Sequence, residues 1–492
     1  MAAAIASGNR EERRRATGPI GIERLLVILL ALVRLALCVY RASHQSIVID
    51  EAFTFNHFVD GPWSSIYSST DANYHVLYSI LAKLSVHAFG VSELALRLPA
   101  LLAGFPMILG VFWVLHLTTR PLVRWIAIVA LSLHPLLLDF SVAARGYGLG
   151  LALLVWAIYF SIGRRYVLAG TLLGLAAGAN LTMTFPALGV ICAVVLLDAV
   201  VLLDKASWRG RGAVLAKMAT PAAIVFAALW FGALRTAISG SFGIGYSTIR
   251  ESLYSLVFPS TTDRSGLFRI EHRGAATLEI LVILLILAFI AVTSVRGLLG
   301  QRKPFRSLIP AVALMTTIVG LLTAHYLFGV PYPVDRTGVY LVVLFGIAWA
   351  IAVDGSAEGL VNQWAWRVNL LLAMLAIFQF AAQFETQYFL LWRFDARTKT
   401  VAQLLRDASE EKPEGSVTVS AIWLHQPALE FYRRELPIKA LQQVVYHDPP
   451  PLSGFDFYVL NDGHPQDLDK AKLHVLFSDP GSGIVLAQGL RK

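Results

Sequence analysis

The chain has 492 residues, of which 56% are hydrophobic and only 15% are charged. Charged residues usually make up about a quarter of a soluble domain, so this composition excludes an ordinary soluble protein and indicates a membrane protein. The formal net charge of +9 does not indicate a nucleic-acid partner, because the basic residues form short clusters between apolar segments.

A basic tail, residues 1–24, precedes the first apolar segment, and we expect this tail to be cytoplasmic. The segment resembles a signal sequence, but no small-residue cleavage site follows it, so we expect an uncleaved first membrane helix. Ten more segments approach the roughly 20 residues that cross a bilayer as a helix. The eleven predicted spans are about 25–41, 98–117, 122–138, 147–163, 166–183, 185–203, 218–237, 277–295, 308–328, 337–353 and 367–384. Cys38 and Cys192 both fall inside spans, which excludes a disulfide framework and a thiolate metal site.

The apolar stretch 75–89 is the one alternative twelfth span. It is short, contains Lys83 and two histidines, and keeps its apolar residues on one face, so a helix on the membrane surface fits it better. With eleven spans and an inside N-terminus, the inside segments contain 18 Lys or Arg and the outside segments 8. A span at 75–89 would reverse this pattern for Arg120, Arg124 and every later cluster.

Two further features concern packing and domain organisation. Gly170, Gly174 and Gly178 form a small-residue stripe that predicts close packing of two helices. After the last span, residues 385–492 are predicted to form a small α/β domain on the outer side. Its predicted elements are strands at Ser416–Trp423, Phe455–Leu460, Leu473–Phe477 and Gly483–Ala487, and a helix at Ala428–Arg434.

The outer loop 42–97 is too long for a simple connection and carries adjacent carboxylates, Asp50 and Glu51, just beyond the first span. Two carboxylates at a helix mouth can be solvated interface charges. Carboxylates at such a depth are also often functional, so they are the first candidates for chemistry.

Two motifs follow these carboxylates. The loop ends in Gly-x-Ser-Glu-x-x-x-Arg-Leu-Pro (residues 90–99), and the next outer segment contains Ala-Arg-x-Tyr (residues 144–147). Together with the Asp-Glu pair and the surface helix, their order over residues 20–345 resembles the lipid-carrier-dependent glycosyltransferases of the GT-C fold. The resemblance is to the bacterial relatives of protein O-mannosyltransferases (glycosyltransferase family 39) and of the aminoarabinose transferase acting on lipid A.

This resemblance implies a GT-C membrane module, residues 25–384, that transfers a sugar from a polyprenyl-phosphate donor. In the family the first acidic residue after helix one is catalytic, so Asp50 is predicted to be the general base and Glu51 a supporting residue. The implied enzyme is a hexosyl- or pentosyltransferase, and the implied acceptor group is a hydroxyl or a phosphate of a glycan, a lipid or a protein. The implied location is the outer face of a bacterial inner membrane.

The predicted substrate-binding residues lie in several outer segments. Cations beside the leaving phosphate would supply most of its stabilisation, and the candidates are Lys83, Arg145 and Arg336. Tyr147 accompanies Arg145 in the implied active-site mouth. The remaining predicted contacts are His75 and Asp139.

A metal is not expected. Some relatives carry a second aspartate where this chain has Arg-x-Tyr, and the spacing of His57, Asp71 and His75 matches no zinc motif. A divalent cation therefore stays an open alternative without an assigned site. The rival functions are a secondary transporter, against which the absence of a detectable internal repeat argues, and a flippase of a lipid-linked sugar.

Overall fold

The computed structural model of the protein describes residues 21–68, 75–201, 208–234, 245–261, 272–300, 305–356, 360–447, 451, 453–461 and 473–489. Most of the predicted tail 1–24 and the candidate ligand Asp71 lie outside these ranges. The helices before the C-terminal segment are, in chain order, α1 (Gly21–His44), α2 (Ile49–Thr54), α3 (Ser65–Ser68), α4 (Val76–Phe89), α5 (Glu93–Leu115), α6 (Pro121–Leu133), α7 (Pro135–Asp139), α8 (Gly146–Ile162), α9 (Tyr166–Ala179), α10 (Thr184–Val201), α11 (Trp208–Leu234), α12 (Ile249–Thr261), α13 (His272–Gly300), α14 (Ile309–Phe328), α15 (Val339–Gly355) and α16 (Leu360–Ala382).

A helix lies at each of the eleven positions where a span was predicted. Seven helical segments of the described chain are long and apolar enough to cross a membrane: Glu93–Leu115, Leu181–Asp198, Arg211–Phe231, Ala276–Leu299, Arg306–Phe328, Asp335–Gly355 and Gln363–Ala382. The protein is therefore an integral membrane protein, and the full count of eleven spans stays a prediction. The predicted span 122–138 is divided into α6 and α7 at Pro135, which cannot donate the backbone hydrogen bond that would continue the helix.

The predicted packing of the glycine stripe is confirmed. A Cβ atom at Gly170 would lie 2.2 Å from the carbonyl oxygen of Met218, and one at Gly174 would lie 2.6 Å from that of Ala222. Both carbonyls belong to α11. The glycines therefore let α9 and α11 approach to backbone contact, as small residues do at membrane helix interfaces.

The described part of the C-terminal unit, residues 385–489, contains one mixed sheet and two α-helices. In chain order its elements are α17 (Thr398–Asp407), β1 (Val419–Ala421), α18 (Gln426–Glu435), β2 (Val445–Tyr446), β3 (Phe457–Asn461), β4 (His474–Asp479) and β5 (Ile484–Gln488). The strand order is β2-β1-β3-β5-β4, with β1 parallel to β2 and β3, and β5 antiparallel to β3 and β4. Strands occur at the four predicted positions, while β2 was not predicted because two exposed residues carry no periodic pattern.

Two large hydrophobic cores position the candidate site. One fills the space between the membrane helices. The second is shared: Ala52, Phe55 and Val59, which follow the Asp-Glu pair, pack in the same cluster as Leu429 and Phe431 of α18. The segment that carries the Asp-Glu pair is therefore enclosed between the membrane helices and the C-terminal unit.

Candidate active site

The Asp-Glu pair lies on the short helix α2, and its two carboxylates face different surroundings. Successive residues on a helix point about 100° apart, so neighbours on α2 cannot share one contact surface. Glu51 is fully buried, whereas the Asp50 side chain keeps 11% of its surface exposed. The two carboxylates therefore have separate roles.

Glu51 is bound on both carboxylate oxygens by a buried arginine. Arg97 donates from Nε to Oε1 (2.9 Å) and from Nη2 to Oε2 (2.6 Å). The backbone amides of Val48 and Ala144 donate to the same two oxygens at 3.0 and 2.5 Å. Arg97 also donates to the carbonyl oxygens of Ala42, Gln45 and Ser46. Glu51 thus joins α2 to α5 and to the segment before α8.

The first motif, residues 90–99, builds this arrangement. Gly90 ends α4 with a φ of +81°, a conformation that glycine adopts without strain. Ser92 caps α5 by accepting a hydrogen bond from the amide of Ala95 at 3.1 Å. These two residues fix the start of α5, and Arg97 one turn later then reaches Glu51. The sequence motif contains Arg97, but the pattern alone did not indicate that this residue pairs with Glu51.

Asp50 lies between two arginines. Its Oδ2 atom is 3.8 Å from Nη2 of Arg145 and 3.6 Å from Nη2 of Arg336. Oδ2 is buried and accepts no hydrogen bond from any residue that the structure describes. The contacts with the arginines are therefore electrostatic, with separations longer than direct hydrogen bonds.

Arg145 is held at the start of α8. Its Nη1 atom donates to the backbone oxygen of Asp50 (3.2 Å) and to Oγ1 of Thr54 (3.3 Å). The next residue must be glycine, because a Cβ atom at Gly146 would lie 1.8 Å from the carbonyl oxygen of Ala179. This close approach packs the Arg-Gly-Tyr segment of the second motif against the end of α9.

Arg336 reaches the site from the loop 330–337 before α15. Helix α12 fixes this loop: Ser252 Oγ donates to the carbonyl of Pro333 (2.6 Å), and the amide of Asp335 donates to Ser255 Oγ (2.9 Å). Asp335 has a φ of +28°, an uncommon conformation for a residue with a side chain and one that occurs more often at functional sites. The guanidinium of Arg336 lies 5.8 Å from the ring centre of Trp392, a cation–π contact.

His75 and Tyr147 complete the cluster. Their rings meet edge to face with centroids 5.2 Å apart, and the phenol of Tyr147 lies beside the Arg336 guanidinium. Burial, followed by the charges of Arg145 and Arg336, lowers the pKa of His75 well below its ordinary value. His75 is therefore neutral at physiological pH and adds no charge to the site.

Two predicted residues lie outside this cluster. The ammonium of Lys83 donates to three carbonyl oxygens, those of Phe58, Val59 and Gly61, which uses all three of its hydrogens. Asp139 pairs with Arg41 at 2.5 Å and accepts a hydrogen bond from the amide of Leu390. Lys83 thus fixes the turn after α2, and Asp139 connects α1 and α7 to the C-terminal unit.

An apolar cavity of about 500 Å³ lies beside the Arg336 loop. Its walls come from α6, α12, α13, α14, α15 and α16, and Tyr332 and Pro333 of the loop form part of its lining. The cavity therefore approaches the charged cluster through the loop that carries Arg336. Its volume falls within the range of about 300–1,000 Å³ that is usual for ligand pockets.

The described residues contain no group of three His, Cys, Asp or Glu side chains placed to hold one metal ion. Asp71, one of the candidate ligands considered above, is outside these residues.

Comparison with known proteins gives structural neighbours only. No protein-family profile and no curated protein sequence matches the chain. The crystal structure of ArnT from Cupriavidus metallidurans bound to undecaprenyl phosphate has a TM-score of 0.53 and 11% identity, covering 96% of this chain and 99% of ArnT. The apo form of ArnT has a TM-score of 0.50 and 13% identity, covering 95% of this chain and 97% of ArnT. The apo oligosaccharyltransferase of Archaeoglobus fulgidus has a TM-score of 0.51 and 12% identity, covering 95% of this chain and 74% of the oligosaccharyltransferase. The chain therefore has the same fold as these solved structures, the GT-C fold.

Proposed function

We propose that the protein is a glycosyltransferase that moves a sugar from a polyprenyl-phosphate donor to an acceptor on the outer face of a bacterial inner membrane. The observation that carries the proposal is the position of Asp50. One buried oxygen of its carboxylate lies between two arginines and accepts no hydrogen bond from the described residues, and an apolar cavity adjoins the loop that carries Arg336. A charged head group with an apolar tail matches that combination.

The two arginines form the proposed phosphate site. Arg145 is 1% exposed and Arg336 is partly exposed, so a phosphate between them would exchange water for charge-assisted hydrogen bonds. The isoprenoid tail would occupy the apolar cavity, whose lining includes Pro333, three residues before Arg336. One ArnT structure with this fold contains undecaprenyl phosphate, a ligand of the same chemical class.

The proposed reaction uses Asp50 as the base. The acceptor hydroxyl attacks the anomeric carbon, its proton passes to the Asp50 carboxylate, and the carbon–oxygen bond to the phosphate breaks. The electron pair of that bond stays on the phosphate, which leaves as an anion. Arg145 and Arg336 stabilise the negative charge that develops there, and a stable phosphate anion needs no strong general acid.

Neighbouring residues complete the proposed site. Neutral His75 can exchange hydrogen bonds with sugar hydroxyl groups without competing for the phosphate. Tyr147 contacts both His75 and Arg336, so it connects His75 to the arginine pair. Glu51 supports Asp50 indirectly, because its bond with Arg97 fixes the backbone of α2. The acceptor can be a glycan, a lipid or a protein.

The test uses purified protein in liposomes that contain polyprenyl-phosphate sugars from a bacterial membrane extract. A transferase should release free polyprenyl phosphate and form a glycosylated acceptor when candidate acceptors are added. A flippase would move the intact donor across the bilayer without cleaving it. Translocation of uncleaved donor, with no release of polyprenyl phosphate, would refute the proposal.

A further inference from the structure

The backbone immediately before Asp50 is held by side chains that lie more than 300 residues later in the chain. The amide of Ile47 donates to the phenol oxygen of Tyr432 at 2.7 Å. The amide of Ile49 donates to Oδ2 of Asp395, also at 2.7 Å. Both acceptors belong to the C-terminal unit. Each of these two amides therefore depends on an acceptor in the C-terminal unit.

Both acceptors are themselves fixed. Asp395 is fully buried, and its Oδ1 atom accepts from Thr398 Oγ1 (3.1 Å) and lies 3.4 Å from Nδ1 of His425. The phenol of Tyr432 donates to a carboxylate oxygen of Glu93. A buried acceptor with a second partner has little freedom to move, so each can hold the amide in one position.

Three more contacts join the same two parts of the chain. Ser46 Oγ donates to the carbonyl of Ala396 at 3.1 Å, and the side-chain amide of Asn56 donates to the carbonyl of Pro427 at 3.0 Å. The ring of Phe55 meets Phe431 edge to face with centroids 4.9 Å apart. The C-terminal unit therefore contacts the chain on both sides of Asp50.

We infer that Asp395 and Tyr432 are positioning residues for the Asp50 carboxylate, which makes the C-terminal unit part of the catalytic apparatus. This inference rests on the proposed function, since it assigns them to the transfer reaction. Neither residue reaches the arginine pair in the structure. Their loss should displace Asp50 and should therefore lower transfer more than donor binding.

The test compares two hydroxyl deletions in the same unit. Tyr432→Phe removes the acceptor of the Ile47 amide together with the hydrogen bond to Glu93. The control Tyr458→Phe removes an equally buried phenol that accepts from the amide of Phe455 at 3.1 Å, far along the chain from α2. Misplacing a reacting group by about 1 Å can cost 10²-fold in rate, so we expect kcat of Tyr432→Phe to fall by about 10- to 100-fold with little change in the KM for donor. Tyr458→Phe should keep its kcat.

A second pair of variants tests Asp395. Asp395→Ala leaves the Ile49 amide without its acceptor and should lower kcat to a similar extent. Asp395→Asn keeps an oxygen that can accept this hydrogen bond and should restore most of kcat. If Asp395 served stability alone, both variants would keep the parent kcat when equal amounts of folded protein are compared.

Hydrogen–deuterium exchange of peptides from residues 45–54 provides a readout that needs no activity. Loss of the hydrogen bond from the Ile47 or Ile49 amide should speed exchange in this segment by about 2- to 10-fold in Tyr432→Phe and Asp395→Ala, but not in Tyr458→Phe. Unchanged exchange in both variants would overturn the inference even if the protein transferred no sugar. Faster exchange with unchanged kcat, or an equal loss of kcat in Tyr458→Phe, would overturn it in an active enzyme.

Discussion

Glu51→Gln separates folding from chemistry at the Asp-Glu pair. Four hydrogen-bond donors converge on the Glu51 carboxylate: two from Arg97 and the amides of Val48 and Ala144. A glutamine amide offers one oxygen, so in either orientation its NH₂ group would face two of these donors. The substitution therefore removes at least two hydrogen bonds and leaves the buried charge of Arg97 without its counterion.

The expected loss of stability follows from these contacts. Two lost hydrogen bonds to a charged group cost about 3–6 kcal/mol, and breaking a buried ion pair typically costs about 3–5 kcal/mol. These figures describe the same interaction and are not added. We therefore expect Glu51→Gln to lose about 3–5 kcal/mol, which should lower the thermal midpoint of the detergent-solubilised protein by several degrees.

The assay is thermal denaturation followed by size-exclusion chromatography of the protein that remains folded. The matched control is Asp407→Asn, because its pair with Arg406 is exposed on the surface and should contribute about 0–1 kcal/mol. Turnover per folded molecule should fall less in Glu51→Gln than in Asp50→Asn. An unchanged midpoint together with abolished turnover would refute the supporting role and place Glu51 in the chemistry.

Three further predictions concern the donor, pH and topology. Arg145→Gln and Arg336→Gln should each lose about 1.5–3 kcal/mol of donor binding, a roughly ten- to hundredfold rise in Kd, while folded Lys83→Gln should bind donor normally. Equal Kd values for both arginine variants and the parent would contradict this site. Burial and the nearby Glu93 raise the pKa of Glu435 to about 7, so the folded state binds more protons than the unfolded state and stability should fall from pH 5 to pH 7.5. Glu435→Gln should flatten that part of the denaturation profile, and an unaltered profile would exclude the assignment. Reporter fusions after residue 303 and at the C-terminus should report inside and outside, and the topology is wrong if both report the same side.

The helical part of the fold could be predicted because hydrophobicity is a local property of the chain. Each predicted span coincides with a helix of the described residues, and the glycine stripe predicted a close helix contact, whose partner in the structure is α11. The break at Pro135 was missed, although proline at that position is a local signal for it. The two-residue strand β2 was also missed, because its pairing with β1 is set by the rest of the sheet.

The candidate site could be predicted only in part. The resemblance selected Asp50, Arg145 and Arg336, which lie together in the structure. Lys83 carries the same charge, but three nearby carbonyls take its hydrogens, and only the folded turn after α2 brings those carbonyls within reach. The partner of Glu51 is 46 residues away, and no local pattern encodes that distance.

The proposed role of Asp50 is tested most directly by Asp50→Asn, with donor binding and transfer measured on the same purified preparation. The variant keeps the size of the side chain but cannot take a proton, and both arginines lose the carboxylate that competes with phosphate. We predict donor binding at least as tight as in the parent and a fall in transfer of about 10²- to 10⁴-fold. Near-normal transfer by Asp50→Asn would contradict the account, and near-normal transfer by both Asp50→Asn and Glu51→Gln would remove the proposed site.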